Sequence, residues 1–182
     1  MRLGLARHFR IPHDRFQWVD GAGFLDWARW YDTTDVKAGT VPTAGDAWDK
    51  CYCSDLPRAL FTARYLFRGE IETTPLLREV PFSGFLPRKA KLPLLVWQGT
   101  SRLGWWLNHA SQSENRLQTL ERIGRFMAEL RERHREGERI LIVTHGFYMQ
   151  FFEKELNRAG YRGRVPIRPR GGIIYPFESE RR

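Results

Sequence analysis

Residues 139–147 read RILIVTHGF. Ile140 to Val143 are apolar at every position rather than at alternate ones, the pattern of a strand covered on both faces, as in a parallel sheet packed between helices. His145 follows directly, and Phe147 opens a segment that predicts a helix to about Asn157, with Gly160 beyond it. A parallel strand needs partners joined by helical crossovers, and the rest of the chain supplies them. RLGLA (2–6) reads as a short buried strand that ends at Arg7 and His8. Asp46 to Cys53 approaches a second strand, and IETTP (71–75) makes a brief third. GGIIYPF (171–177) supplies a last one.

Helical patterns fall between these strands. FLDWARWY (24–31) carries apolar residues on more than one side. A helix from about Asp55 to Phe67 has Ser54 as its expected cap and Pro57 in the first turn, where a missing N–H costs nothing. Ser111 and Glu114 have the capping-box spacing. After them Leu117, Leu120, Ile123, Phe126, Met127 and Leu130 form an amphipathic stripe, and Gly137 stands where a C-terminal cap would. Val80 to Ala110 is less regular, with prolines at 81, 87 and 93 and tryptophans at 97, 105 and 106. It reads as a lid or insertion, its tryptophans as core in preference to a stacking platform. The alternation predicts an α/β domain with a mostly parallel sheet.

The chain has 182 residues, enough for one well-buried domain. No apolar run approaches the ~20 residues that span a bilayer. MRLGLARHFR (1–10) shows neither an h-region nor a small-residue cleavage site, so a cytoplasmic protein without a membrane partner is expected. Cys51 and Cys53 share one strand face and read as buried thiols; two cysteines at this spacing lack the further ligands of a metal site. The net charge of +9 favours anionic partners. Five arginines and no acid lie between Leu156 and Tyr175. That run reads as a solvated basic face, a funnel for a small phosphorylated substrate, or a strip for RNA or an acidic protein.

In open α/β sheets ligands bind beyond the carboxyl ends of the strands. His8, Ser54 and His145 all fall there. Phosphoryl transfer needs a nucleophile, cationic donors for the phosphate oxygens and an acid for the leaving group. His8 can attack phosphorus as a neutral imidazole. Arg7 and Arg58 offer planar forks that match phosphate oxygens. His145 stands at a helix start whose free N–H groups and dipole favour an anion, and Gly146 lets that backbone approach closely. Glu79, after the third strand, is placed to protonate the leaving oxygen. His13 and His109 have no motif support, and His134 reads as a helix-end charge.

Taken in order, Arg7-His8, SDLPRALFTA (54–63), LLREVPF (76–82) and VTHGF (143–147) resemble the histidine phosphatase superfamily, in its phosphoglycerate-mutase-like branch. The resemblance covers nearly the whole chain and implies one domain, a three-layer α/β/α sandwich and no metal or cofactor. It implies that His8 is phosphorylated during turnover, that Arg7, Arg58 and His145 form the phosphate pocket, and that Glu79 is the proton donor. The chain departs from the family in its first loop. Phe9 replaces a glycine, Ile11 replaces a hydroxyl residue and Asp14 stands where the family has asparagine, so Ile11 and Asp14 receive no role. Arg10 and Arg15 are available to compensate. A phosphomonoesterase is the leading expectation. A mutase would need a lid larger than residues 80–110 provide. A non-catalytic binding module using the 156–175 arginines would leave the histidine pair without a purpose.

Overall fold

The structure, a computed structural model, describes residues 1–39 and 48–179. Along the chain the elements are β1 (Arg2–Arg7), β2 (Trp18–Val19), α1 (Gly21–Thr33), β3 (Lys50–Ser54), α2 (Pro57–Leu66), β4 (Ile71–Thr74) and a 3-10 turn (Pro75–Leu77). They continue with β5 (Leu92–Pro93), α3 (Leu94–Trp106), α4 (Arg116–Arg133), β6 (Arg139–Thr144), α5 (Gly146–Arg158), β7 (Tyr161–Gly163) and β8 (Ile174–Ser179).

The apolar run that opens the reading is β6, and it sits mid-sheet in the order β4-β3-β6-β1-β8-β7. It pairs in parallel with β1 and β3, and β3 pairs in parallel with β4. β8 runs antiparallel to β1, and β7 antiparallel to β8. Strand alternation sorts the core into two faces. Leu3, Leu5, Ile140 and Ile142 pack against Ile123, Phe126 and Leu130 of α4 and Phe152 and Leu156 of α5. Ala6, Cys51, Cys53, Leu141 and Val143 pack against Ala59 and Ala63 of α2. Each large apolar side chain buried this way contributes roughly 1.5–3 kcal/mol. The result is the expected three-layer sandwich with a mostly parallel sheet.

Several local expectations are corrected. Segment 80–110 is not irregular throughout, since α3 occupies thirteen of its residues. Its Trp97 and Trp105 are buried; Trp97 stacks on Phe24 of α1, and Trp105 donates its indole N–H to Thr119 Oγ1. Trp106 is 52% exposed and carries the Arg116 guanidinium over its ring. The capping box of α4 is built by Asn115 and Gln118, four residues later than Ser111 and Glu114 would place it. Glu114 is committed elsewhere, to Arg122 and Thr119. Leu117 falls off the buried stripe and is exposed. α4 ends at Arg133 with His134 as its cap residue, while Gly137, at φ 94°, makes the turn into β6. His134 bonds Tyr52 and Glu138. The second strand begins at Lys50, and the expected start at Asp46 lies outside the described residues. The last begins at Ile174, after a turn at Gly172.

Cys51 and Cys53 are free, buried thiols, and burial pushes Cys53 up to about 12. Among the described residues no helix is long and apolar enough to cross a membrane.

Candidate active site

Sheet register brings the two histidines together. Arg7 of β1 is in register with Thr144 of β6, and the ladder runs one step further as His8 N–H donates to the Thr144 carbonyl at 2.9 Å. His8 and His145, the next residues on two adjacent parallel strands, therefore lie side by side with ring centroids 5.0 Å apart. β3 is in register as well, Cys53 with Val143, so Ser54 reaches the same rim. Arg58, in the first turn of α2, is fully buried beside them.

The hydrogen bonds fix both tautomers. His8 Nδ1 lies 2.5 Å from the Phe9 carbonyl oxygen, which can only accept, so the proton sits on Nδ1 and the lone pair on Nε2. His145 Nδ1 accepts from Arg58 Nε at 3.3 Å, so His145 carries its proton on Nε2 and donates it to Ser54 Oγ at 2.9 Å. Ser54, expected as a helix cap, instead ends β3 and anchors His145. Both imidazoles are held well below their ordinary range, first by burial and then by the Arg58 charge, with Arg7 adding to it. Both are neutral at pH 7.

The remaining expected residues surround this pair. The Arg7 guanidinium donates from Nη1 to the Pro169 carbonyl at 3.1 Å, and its Nε is buried without a partner among the described residues. A side chain at position 146 would meet Arg7 Nε at 3.0 Å, so glycine is what lets the start of α5 lie against this guanidinium. Glu79 accepts three backbone N–H groups: Val80 at 3.0 Å, Tyr148 at 3.0 Å and Phe147 at 3.2 Å. This corrects one expectation. The N–H groups of Phe147 and Tyr148 at the start of α5 are taken by Glu79, and that carboxylate is the anion at the positive end of the helix.

Arg7, Glu79 and Gly146 line an open cleft of about 590 Å³, together with Arg10, Arg15 and Arg168. His8, Arg58 and His145 are buried beside Arg7 and Gly146, at 2%, 0% and 0% exposed. The last turn of α1 holds Arg58. The Tyr31 carbonyl accepts from Arg58 Nη1 at 2.8 Å and Asp32 Oδ1 accepts from Nη2 at 3.0 Å.

Phe9 turns away from the rim. Its ring is buried with Ile11 and Val36 and meets Tyr65 edge-on at 5.3 Å. Its N–H donates to Thr62 Oγ1 at 2.9 Å, and that hydroxyl donates to the Arg58 carbonyl. The Asp14 carboxylate accepts from Phe16 N–H on the exposed side. Thr62, Tyr31 and Asp32 escaped sequence reasoning. Thr62 sits one turn after Arg58 inside the 54–63 motif, a signal available to a reader who asks what holds the first loop. Asp32 gives no such signal. The arginine run divides between the two ends of the sheet: Arg168 lines the cleft, whereas Arg158 lines a cavity at the other end with Arg131 and Gly137. Among the described residues no group of three His, Cys, Asp or Glu side chains is placed to hold a metal ion.

The profile of the histidine phosphatase superfamily (branch 1) matches residues 41–163, a span that holds Arg58, Glu79 and His145. The chain belongs to that superfamily. Among solved structures, YhfR of Bacillus stearothermophilus superposes with a TM-score of 0.59 at 20% identity, covering 98% of this chain and 91% of its own. A mycobacterial glucosyl-3-phosphoglycerate phosphatase gives 0.57 at 16% identity, with 96% and 88% covered. The α-ribazole phosphatase of Shigella flexneri gives 0.56 at 18% identity, with 97% and 89% covered. These likenesses establish a phosphoglycerate-mutase-like fold for this superfamily member. A search of curated proteins finds no match. The matched span begins after Arg7 and His8, the loop in which Phe9, Ile11 and Asp14 depart from the family pattern.

Proposed function

We propose that this histidine phosphatase homologue is a phosphomonoesterase that works without a metal, through a phosphohistidine on His8. The observation that carries the reading is the 2.5 Å bond from His8 Nδ1–H to the Phe9 carbonyl, which leaves Nε2 as a neutral nucleophile at the rim. Nε2 attacks phosphorus and the ester P–O bond breaks. Glu79, on the cleft wall, takes up a proton as the substrate binds and delivers it to the leaving oxygen. It then takes a proton from the water that cleaves the N–P bond, which regenerates His8. Arg7 and Arg58 supply the fixed positive charge that the transferred group requires. His145 orients the Arg58 guanidinium through Nδ1 and stands beside His8.

The whole chain is taken as one domain, with residues 80–110 as an insertion whose Phe82 and Gln98 line the cleft. Structural relatives act on a glucosyl phosphoglycerate and on α-ribazole phosphate, as their names state. A small phosphorylated metabolite is the corresponding substrate class here.

Phosphate release over a panel of phosphate esters, without added metal, tests the proposal. The wild type should turn over at least one ester, and His8→Ala should lose at least about 10³-fold in kcat/KM. A His8→Ala variant as active as the wild type would overturn the mechanism. Discharge of 32P-labelled enzyme to water without an acceptor separates a phosphatase from a mutase.

A further inference from the structure

The cleft holds more positive charge than one phosphoryl group uses. In the proposed mechanism Arg7, on its wall, and the buried Arg58 serve the transferred group. Arg10, Arg15 and Arg168 line the same cleft as Arg7, all three exposed. Their guanidinium groups make no hydrogen bond or ion pair among the described residues. Among the described residues Glu79 is the one acid in the lining, and both its oxygens are engaged by backbone N–H groups. Asp14, the nearest acid in sequence, is turned to Phe16.

The three arginines come from two walls. Arg10 and Arg15 belong to the loop after β1. Arg168 belongs to the segment between β7 and β8, which is fastened to the cleft at two points: the Pro169 carbonyl accepts from Arg7 and the Pro166 carbonyl from Gln150. The second wall is thus held in place independently of any ligand. Guanidinium groups gathered in one cleft without counter-charge repel one another, and an anion between the walls relieves that repulsion. His13 sits among them, its Nδ1–H given to the Ile11 carbonyl and its Nε2 buried without a partner among the described residues.

Resting on the phosphatase reading of the rim, we infer that the substrate's leaving group carries a second anionic group, a carboxylate or a second phosphate, held by Arg10, Arg15 and Arg168. The substrate is then a small metabolite charged at both ends. The first loop then acquires a use: it supplies two of the three cations for the far end of the substrate.

Calorimetric titration with non-hydrolysable probes reads this directly. Alkane-α,ω-bisphosphonates and phosphonocarboxylates of two to five carbons are compared with alkyl monophosphonates of equal length. The wild type should bind the best doubly charged probe about tenfold or more tightly than its singly charged counterpart, which is the scale of one charge-assisted contact. The ratio of the two Kd values should fall to about two or less in Arg10→Gln/Arg15→Gln/Arg168→Gln. It should stay unchanged in Arg131→Gln, which removes a cation from the opposite end of the sheet. The better of the two probe families assigns the second group as phosphate or carboxylate. A ratio below about two in the wild type at every length, or one that survives the triple substitution, overturns the inference. So does an equal loss in Arg131→Gln, or a 5′-phosphorylated oligonucleotide that outbinds every small probe through the same arginines. Titration needs no turnover, so a protein inactive on every ester would sink the phosphatase reading while this ratio still decides the second-anion site.

Discussion

Asp32 Oδ1 lies 3.0 Å from Arg58 Nη2, and the Tyr31 carbonyl takes the other terminal nitrogen of the same fork. The last turn of α1 therefore satisfies the guanidinium that the proposed mechanism needs for phosphate. Arg58 is fully buried, whereas the Asp32 side chain is 50% exposed. The contact is half screened and worth about 1 kcal/mol. A phosphate dianion, with two charges and four oxygens, competes for the fork and must displace Asp32 to use it. Asp32→Ala should lower the Ki of inorganic phosphate about fivefold, the equivalent of that 1 kcal/mol. A competitive inhibition series at fixed ionic strength checks it. A Ki that rises would mean that Asp32 positions Arg58 for phosphate and does not obstruct it.

The buried histidines set a pH dependence. Both are held well below 6.5 in the folded protein and titrate near 6.5 once unfolded. Between those values the unfolded chain binds more protons, so stability is fully present above about pH 6.5 and is lost as the pH falls below it. Each histidine contributes a slope of up to about 1.4 kcal/mol per pH unit in that window. The wild-type Tm should fall on acidification from pH 6.5 to 5.0, and His8→Gln/His145→Gln should fall less over the same range. The acid limb of kcat/KM should likewise lie below pH 6.5, because His8 stays neutral there. Parallel Tm curves for wild type and double variant would contradict the assignment.

The fold was legible because its strongest signal is non-local in consequence but local in sequence. Ile140 to Val143 are apolar at every position, the pattern of a strand between two helical layers. The histidine pair was legible for the same reason, since each histidine follows a strand and parallel register makes strand ends neighbours. The Arg58–Asp32 contact was not legible. It joins the end of α1 to the start of α2 across a stretch that no periodicity constrains, and an aspartate near a helix end looks like any solvated charge. The α4 cap was misplaced because two acceptable capping boxes stand back to back there, at 111–114 and 115–118. Tertiary bonds from Glu114 to Arg122 and Thr119 chose the later one.

Glu79 gives a test that separates proton donation from helix capping. Its carboxylate both lines the cleft and receives the first amides of α5. Glu79→Gln keeps one acceptor oxygen but removes the proton that the leaving group needs. Its kcat/KM should drop about 10²-fold or more on alkyl phosphates, whose alkoxide leaves poorly, and much less on 4-nitrophenyl phosphate, whose phenolate needs no protonation. If both ester classes lose activity equally, Glu79 acts on the fold of the rim alone.

Arg102 braces the segment that follows that carboxylate. Its Nη1 donates to the Val80 carbonyl at 2.9 Å, and its guanidinium lies 4.0 Å from the Phe82 ring centroid and 4.3 Å from that of Phe147. It thereby ties the segment after Glu79 to α3 and to the first turn of α5. Arg102→Met retains much of the apolar contact and loses the bond and the charge. The expected result is a drop in kcat of about tenfold on alkyl phosphates with a Tm change of only a few degrees. Arg102→Lys should recover part of the rate. Equal losses for methionine and lysine would show that the planar guanidinium between the two rings, and not the charge, holds the segment.

Phe9 separates the backbone's part in catalysis from the side chain's part in folding. Its carbonyl fixes the His8 tautomer and its N–H is held by Thr62, and both survive any substitution other than proline. Its ring is core, packed with Ile11 and Val36 and edge-on to Tyr65. Phe9→Ala should therefore cost about 3–5 kcal/mol of stability, as large-to-small changes in a core do. It should leave kcat within a few-fold of wild type at temperatures where the variant stays folded. Gly171 is the converse case. A Cβ there would stand 2.8 Å from the His8 carbonyl and 2.9 Å from Phe9 Cα, backbone atoms that can yield only by moving the nucleophile's loop. Gly171→Ala should lower kcat more than tenfold with a smaller loss of Tm than Phe9→Ala. Measuring both variants for unfolding and for turnover settles it: if Phe9→Ala loses turnover while Gly171→Ala keeps it, the ring and not the backbone sets the geometry of His8.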